Sequence, residues 1–435
     1  MISDSAKATP GRRYGRWLAL AVLAALAVRL IVVAFVYPGF LEPGRDYWEF
    51  GFEVGMVARS IATGHGFANP FWGETGPTAW LTPVFPYLLS GIFILFGIKT
   101  KAAAIAMLAL NSLFSALTCV PIFFVAKKSF GLREAKWAAW IWAFFPYAIF
   151  YSADSMWYHC FLTLLLTLLV LFILHLENVT SLWAWAAFGV LAGITTLTTP
   201  VVLGVLPFMI GWVCYRLRQR AMKWVVPAGT AAVALLATIA PWAVRNYQTF
   251  HRPVFLKDNF WMEMCVGNVG NDRHWWNGAV HPAGRPEEAA EIQRVGELAY
   301  LQEKRNLALD FLKTHPGIYL WRSVRRIVFI WTGFWSLQRE YLREEPFDPA
   351  NIFFCTLFTV FALAGLRKAF RERRDIAVLY ALILGTFPII FYLSHPDLAY
   401  RHPIDPEIVI LGAYAIVSRK SLTKAESESG LLAEA

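Results

Sequence analysis

Apolar residues occur along the chain in long blocks that are separated by short polar segments. Blocks of about 17–25 apolar residues have the length that an α-helix needs to cross a hydrocarbon core about 30 Å thick. The pattern predicts ten spans, which lie at residues 17–37, 102–126, 137–151, 155–175, 183–198, 200–215, 224–242, 351–366, 376–394 and 403–418. The first block is too long for the core of a signal peptide, so we expect it to remain as a membrane helix.

Two more apolar blocks fit a helix at the membrane surface better than a span. Residues 83–98 form a short block that opens with two prolines. Residues 318–337 carry Arg322, Arg325 and Arg326, whose i, i+3 and i+4 spacing places them on one helical face. We interpret both blocks as interfacial helices, and the total becomes twelve spans if both cross.

Clusters of lysine and arginine predict the orientation of these helices. They lie at residues 12–16, 127–136, 216–223, 367–374 and 419–420. Basic residues concentrate in the cytoplasmic segments of membrane proteins, so all five clusters are placed inside the cell.

This orientation divides the chain into seven segments. They are a cytoplasmic N-terminus (1–16), a first transmembrane helix (17–37), an extracytoplasmic acidic loop with interfacial helices (38–101), a transmembrane bundle (102–242), an extracytoplasmic region with amphipathic helices (243–350), C-terminal transmembrane helices (351–418) and a cytoplasmic tail (419–435). Within the second extracytoplasmic region, residues 286–314 are predicted to form one exposed helix.

Composition and charge agree with a membrane protein. Of the 435 residues, 57% are hydrophobic and 16% are charged, whereas a soluble domain carries about a quarter charged residues. The net charge of +10 comes from basic clusters at the ends of apolar blocks, so no nucleic-acid partner is predicted. The five cysteines follow no disulfide or zinc spacing, and Cys265 alone is predicted to lie in an exposed loop.

Three carboxylates stand close together in the first extracytoplasmic loop. They are Asp46, Glu49 and Glu53, and the last two share a helical face because they are four residues apart. Like charges so close repel, and partial burial near a membrane raises a carboxyl pKa toward the range of a general base. The alternative is a solvated acidic turn at a helix N-terminus. Trp48 and Trp80 in the same loop could stack on a sugar or belong to an interfacial belt.

Arg29 falls near the middle of the first predicted span. An unpaired arginine at the centre of a membrane helix costs about 2.5–3.5 kcal/mol on insertion scales. We therefore expect Arg29 to face the bundle and to have a partner, either a loop carboxylate or a lipid phosphate.

Three stretches resemble the GT-C glycosyltransferases. The first combines the acidic loop, the sequence Ala-x-Ser-Ile-Ala-x-Gly-x-Gly-Phe at residues 58–67 and the proline-flanked block that follows. The others are residues 241–260 and 395–403. The nearest groups are the dolichyl-phosphate-mannose protein mannosyltransferases and the bacterial aminoarabinose transferases. The resemblance implies a GT-C-like bundle of about ten to twelve transmembrane helices with two extracytoplasmic loop regions.

The resemblance also implies roles for individual residues. The family's loop acid, commonly part of an Asp-Glu pair, serves as base or acceptor anchor. No such pair is present here, so Glu53 is favoured as the base, with Asp46 and Glu49 behind it. Trp48, Trp80 and Lys257 are candidate contacts for the acceptor or sugar.

The lipid phosphate is expected to dock on four residues. Arg245 and Arg401 are the principal candidates because a guanidinium matches a phosphate, and Tyr400 and His402 could add donors. Arg245 could instead only extend its charge to the interface.

The implied function is the transfer of a hexose or pentose from a polyprenyl-phosphate donor to an extracytoplasmic lipid, glycan or protein, with inversion. Membrane lipids are the other expected partners, and the location is the inner membrane of a bacterium. No nucleotide site is required, and no cofactor is assigned. A divalent cation at residues 395–402 is an alternative, although their spacing lacks a usual metal-ligand pattern. The alternatives in function are a transporter or lipid flippase, and a GT-C homologue that binds lipid-linked sugar without turnover. A transporter commonly shows two related halves, and this sequence shows no repeat.

Overall fold

The computed structural model describes residues 10–36, 50–154, 156–270 and 276–417. Three predicted site residues, Asp46, Trp48 and Glu49, lie outside the described residues. The described residues are mainly helical, and they contain no β-strand beyond one isolated bridge between Ala68 and Pro77. The predicted all-α class is therefore confirmed.

The first half of the chain forms a series of helices connected by short turns and one longer loop. They are α1 (Pro10–Val36), α2 (Glu53–Ala62), α3 (Val84–Phe96), α4 (Lys101–Leu117), α5 (Cys119–Ser129), α6 (Leu132–Ala143), α7 (Pro146–Asp154), α8 (His159–Leu176), α9 (Leu182–Thr198) and α10 (Leu206–Gln219).

The second half adds both long and short helices. They are α11 (Val225–Phe250), α12 (Phe260–Asn268), α13 (Pro286–Val295), α14 (Glu297–Thr314), α15 (Pro316–Thr332), α16 (Arg339–Glu344), α17 (Asp348–Glu372), α18 (Arg374–Thr386), α19 (Ile389–Leu393) and α20 (Asp405–Val417). Single 3₁₀ turns occupy Pro200–Gly204, Gly278–Val280, Leu398–Tyr400 and His402–Ile404.

Six stretches of the described chain are helical, long and apolar enough to cross a membrane. They are Tyr14–Phe35, Lys101–Ser129, His159–Leu176, Val225–Phe250, Asp348–Glu372 and Arg374–Leu393. Two shorter apolar helices, α3 and α9, have 13 and 17 residues. The chain is therefore a polytopic membrane protein, and the predicted number of ten to twelve spans remains a prediction.

Proline and glycine interrupt two of the predicted segments. The predicted span 137–151 consists of α6 and α7, which meet at a break just before Pro146. A proline at the start of a helix is favourable, because its missing N–H would have no partner there. The prediction of one helix over 286–314 was wrong: Gly296 has φ 83° and separates α13 from α14.

Arg29 is fully buried against the end of another helix. Its guanidinium donates to the carbonyls of Trp142 and Ala143, at 3.1 and 2.9 Å, and its Nε donates to Ser115 Oγ at 2.8 Å. Ala143 is the last residue of α6, so the cation meets the negative end of a helix dipole. The expected carboxylate or phosphate partner is thus replaced by helix carbonyls and a hydroxyl.

Helix α15 is amphipathic, as the arginine spacing predicted, and its polar face is turned into the protein. Arg322 and Arg326 are buried, whereas Leu320 and Trp321 are more than half exposed. The prediction for Cys265 was wrong, because its side chain is buried within α12 and its thiol donates to the carbonyl of Lys304.

Candidate active site

A cavity of about 950 Å³ lies where the loop segments meet the ends of the bundle helices. Its wall includes residues from α2, the loop before α3, α7, α8, α12, the loop after α12, α17 and the loop after α19. One part of the wall is polar and contains carboxyl, imidazole and amine groups. Another part is apolar and is formed by Phe150, Val201, Phe347, Phe354 and Ile390.

Glu53 is the first residue of α2 and lines the polar part of the cavity. Its side chain is only about a tenth exposed, since the flanking Phe52 and Val54 are buried in two adjacent apolar clusters. Phe52 has φ 44°, a left-handed conformation that is unfavourable for a side chain with a Cβ. Burial raises the pKa of Glu53 to about 8, against a smaller opposing effect of its own backbone N–H. The carboxyl can therefore exchange a proton near neutral pH.

His281 lies next to Glu53 in the cavity wall. Its Nε2 lies 3.6 Å from Glu53 Oε1, and its Nδ1 accepts a hydrogen bond from the Ala283 N–H at 3.1 Å. Burial lowers the pKa of His281 to about 3, so the ring is neutral at physiological pH. Because Nδ1 acts as an acceptor, the proton of the neutral ring resides on Nε2 and points toward the Glu53 carboxyl.

A second carboxyl–imidazole pair also lines the cavity. Glu263 Oε2 is 3.4 Å from His395 Nδ1, and His395 Nε2 is 3.1 Å from the Tyr400 hydroxyl. Asn259 donates to the other oxygen of Glu263 at 2.6 Å. The Tyr400 ring stacks on Phe391, with ring centroids 4.4 Å apart. This row fixes the tyrosine hydroxyl at the cavity wall.

Lys257 is the one lysine or arginine among the described residues that line the cavity. Burial lowers the pKa of its ammonium group, and the negative charges of Glu263 and Glu53 oppose that shift. Within the described chain this ammonium makes no hydrogen bond or ion pair. Its three donors are thus available to an anionic ligand.

Further carboxyl groups lie together in the cavity wall. Burial raises the pKa of Asp397 to about 6 and that of Glu345 to about 7, and the charge of nearby Asp348 adds to both shifts. Asp348 accepts hydrogen bonds from Tyr341 and Asn351. Such groups are either negatively charged or protonated, so this part of the cavity wall does not suit a phosphate.

Trp80 lines the cavity as predicted for a sugar contact. Its indole meets the His281 ring nearly at right angles, with centroids 5.7 Å apart. The preceding residues Thr78 and Ala79 are held by Glu297, which accepts from Thr78 Oγ1 at 2.5 Å and from the Ala79 N–H at 2.6 Å. The His281 ring therefore contacts the indole, and Glu297 holds the backbone that precedes it.

Arg245 does not line the cavity. Its guanidinium donates to the carbonyls of Phe67 and Thr78, both at 2.7 Å, and stacks over Trp242. The side chain thus anchors the loop that carries Trp80. A phosphate contact of Arg245 stays a prediction and would require it to leave these partners.

Arg401 and His402 also lie behind the cavity wall rather than in it. Arg401 Nε is 3.1 Å from Asp405 Oδ1, and His402 Nδ1 is 3.0 Å from Asp405 Oδ2. The His402 ring stacks on Trp142. Of the four predicted phosphate ligands, Tyr400 is therefore the one whose side chain lines the cavity, and the roles of Arg401 and His402 stay predictions.

Sequence reasoning did not assign Glu263, His281 or Asn259 to the site. Glu263 is a single acid in the apolar sequence of α12, and such a residue in a short apolar helix is a usable signal. His281 offers no signal of this kind. His395 and Asp397 were noted only as metal ligands, and no group of three or more His, Cys, Asp or Glu in the described residues is arranged to hold a metal ion.

Comparison with solved structures gives a fold. No protein-family model and no curated protein sequence matches this chain. The chain is similar to the oligosaccharyltransferase AglB from Archaeoglobus fulgidus, in a complex with an inhibitory peptide and a dolichol-phosphate, with TM-score 0.53 and 13% identity. That match covers 94% of this chain and 52% of AglB. A second AglB structure, a complex with Zn and sulfate, has TM-score 0.54, 14% identity and coverage of 96% and 51%.

ArnT from Cupriavidus metallidurans bound to undecaprenyl phosphate is also similar, with TM-score 0.41 and 14% identity over 92% of this chain and 77% of ArnT. The chain spans about half the length of the oligosaccharyltransferase. The similarity to the two AglB structures confirms the fold that the sequence resemblance implied, a GT-C-like bundle of membrane helices.

Proposed function

We propose that this protein is a glycosyltransferase that moves a sugar from a polyprenyl-phosphate donor to an acceptor on the extracytoplasmic face of the membrane. The observation that carries the proposal is that two groups line one cavity. One is Glu53, a buried carboxyl with raised pKa, and the other is Lys257, whose ammonium has no hydrogen-bond or ion-pair partner in the described chain. A group-transfer reaction from a phosphate needs both a proton acceptor and a cation.

Glu53 is the proposed general base. A base is most effective when its pKa lies near the working pH, and burial places the pKa of Glu53 at about 8. The Nε2 atom of His281 lies 3.6 Å from the carboxyl, where its N–H favours the ionised form that Glu53 needs before it accepts a proton. Glu53 would accept the proton of an acceptor hydroxyl as its oxygen attacks the anomeric carbon, with inversion.

Lys257 is the proposed contact of the donor phosphate. Its ammonium has no partner in the described chain, and a desolvated cation stabilises the negative charge of a departing phosphate. The Tyr400 hydroxyl, which pairs with His395 Nε2, lies at the same wall. One lysine matches a phosphodiester, which carries one negative charge, better than it matches a diphosphate.

The apolar part of the cavity wall is the proposed site of the polyprenyl chain. It lies between the ends of α7, α17 and α19, next to helices that are long enough to cross the membrane. Trp80, Trp276 and the His281 ring form an aromatic surface beside Glu53 on which a sugar ring could rest.

The experiment that tests the proposal measures release of free polyprenyl phosphate by the purified protein. Donors would be polyprenyl-monophosphate and polyprenyl-diphosphate sugars, with an envelope extract as acceptor. We expect release from at least one monophosphate donor and much weaker release from its diphosphate counterpart. No release from any donor would contradict the enzyme, and vesicle assays of lipid flipping would then test the transporter alternative.

A further inference from the structure

The second carboxyl–imidazole pair joins two segments that are far apart in sequence. Glu263 lies in α12, whose last residue is Asn268, and His395 follows the end of α19 at Leu393 by two residues. The segments touch at Gly267, where an added Cβ would lie 1.9 Å from the carbonyl oxygen of Ser394. Only glycine permits this approach. The distance between Glu263 and His395 therefore depends on how the C-terminal ends of α12 and α19 are held together.

Arg326 of α15 binds both ends at once. One terminal nitrogen donates to the Gly267 carbonyl at 2.6 Å and to Asn268 Oδ1 at 2.8 Å. The other donates to the carbonyls of Leu393 and Tyr392, at 3.0 and 3.3 Å. The guanidinium is almost fully buried, and its planar fork matches these four acceptors.

The carbonyls that Arg326 binds lie in the last turns of two helices. The last carbonyls of a helix lack intrahelical donors and carry partial negative charge, so a cation stabilises them. Gly267 is four residues after Glu263, and Leu393 is two residues before His395. A shift of either end therefore changes the 3.4 Å separation between the Glu263 carboxylate and the His395 ring.

The neighbouring Arg325 provides a natural comparison on the same helix. Its guanidinium donates to the Trp335 carbonyl and stacks over the Trp335 ring at 4.1 Å. None of its contacts with the described residues reaches α12 or α19. Substitution of Arg325 therefore shows the effect of removing an arginine from α15 while the contacts of Arg326 with the two helix ends are kept.

We propose that Arg326 is a positioning residue that holds α12 against α19, so that His395 stays between Glu263 and Tyr400. The catalytic part of this inference rests on the proposed function. The mechanical part does not, because it concerns only the relative position of two segments.

Hydrogen–deuterium exchange of the full chain in detergent tests the mechanical part. Arg326→Gln, Arg326→Lys and the control Arg325→Gln would be compared with the wild type at equal fractions folded. We expect faster exchange in the peptides covering 260–270 and 389–402 in Arg326→Gln, a smaller change in Arg326→Lys, and none in Arg325→Gln. Unchanged exchange in both peptides of Arg326→Gln would overturn the proposal.

Steady-state kinetics with a polyprenyl-phosphate sugar test the catalytic part. A displacement of about 1 Å at a catalytic site costs on the order of a hundredfold in rate. We expect kcat of Arg326→Gln to fall on the order of ten- to hundredfold, with little change in KM for the donor and partial recovery in Arg326→Lys. Faster exchange together with unchanged kcat would overturn the positioning role. A wild type without transfer activity would contradict the proposed function and leave the exchange result to decide the contact between the two segments.

Discussion

The Nε2 atom of His281 lies 3.6 Å from Oε1 of Glu53, and the N–H of Ala283 fixes the ring so that Nε2 carries the proton. The pair joins α2 to the loop after α12, which are separated by more than two hundred residues. The 3.6 Å separation is longer than a hydrogen bond, and an N–H dipole directed at a carboxylate favours the ionised acid without adding a charge.

The pH dependence of kcat/KM reports the ionisation of Glu53. A general base must be ionised to act, and burial raises its pKa to about 8. We therefore expect kcat/KM to rise with pH through about 8, before the fall at more alkaline pH that loss of the Lys257 proton causes. A profile that is flat between pH 6 and pH 9 would contradict the assignment of this base.

Substitution of His281 should move that rising limb. His281→Phe keeps an aromatic ring against Trp80 and removes the Nε2–H that points to Glu53. Loss of this donor disfavours the carboxylate, so the limb should move to higher pH. The same variant should retain the plateau rate at high pH, where Glu53 is ionised without help. An unmoved limb would mean that the 3.6 Å separation carries no interaction.

Lys257 should control donor affinity and the alkaline side of the profile. Loss of one charge-assisted contact costs about 1.5–3 kcal/mol, so KM for the donor should rise about ten- to hundredfold in Lys257→Gln. Burial lowers the pKa of this ammonium, so the wild-type rate should fall at alkaline pH. Lys257→Arg keeps the charge at every pH and should remove the falling limb. The exposed Lys223 provides a control substitution, Lys223→Gln.

Arg29 should matter for stability rather than for turnover. Arg29→Met leaves the Trp142 and Ala143 carbonyls without their donor inside the bundle. An unsatisfied buried carbonyl costs about 1–3 kcal/mol, so the Tm in detergent should fall clearly. Arg16→Met, at the exposed start of the same helix, is the control. Equal Tm values for both variants would show that the cap of α6 contributes nothing.

Glu297 should make stability depend on pH. Burial raises the pKa of Glu297 above its usual value and that of Asp258 to about 6. Folded carboxyls with raised pKa favour the protonated state, so their contribution is present below about pH 4, the unfolded value, and is lost as the pH rises through the folded value, which is about 6 for Asp258. The Tm of Glu297→Gln should thus fall less than that of the wild type as the pH rises from 5 to 8. Parallel Tm curves would contradict this linkage.

The sequence predicted the helical class, the membrane and several cavity residues because these follow from local patterns. Glu53, Trp80, Lys257 and Tyr400 all line the cavity. The prediction relied on apolar block length, on acids after a span and on family-like stretches. It did not predict Glu263 or His281, because their approach depends on how distant helices pack.

The ion-pair partner of Arg401 follows from the spacing of residues in the sequence. Arg401 lies four residues before Asp405, a spacing that places both side chains on one helical face. The structure pairs them at 3.1 Å in the interior, behind Tyr400. Arg245 differs, since its loop carbonyl partners at 67 and 78 could not be inferred from spacing. Both arginines thus have partners within the protein, and their contact with a phosphate stays a prediction.

The measurement that tests the central claim most directly compares Glu53→Gln with Glu74→Gln in the release of polyprenyl phosphate from a polyprenyl-monophosphate sugar. Glu74 is an exposed acid of the same loop region, so it controls for the loss of a carboxylate without loss of the base. General-base catalysis contributes about a hundred- to ten-thousandfold, and a loss of that size is expected for Glu53→Gln alone. Equal rates in the two variants would contradict Glu53 as the base.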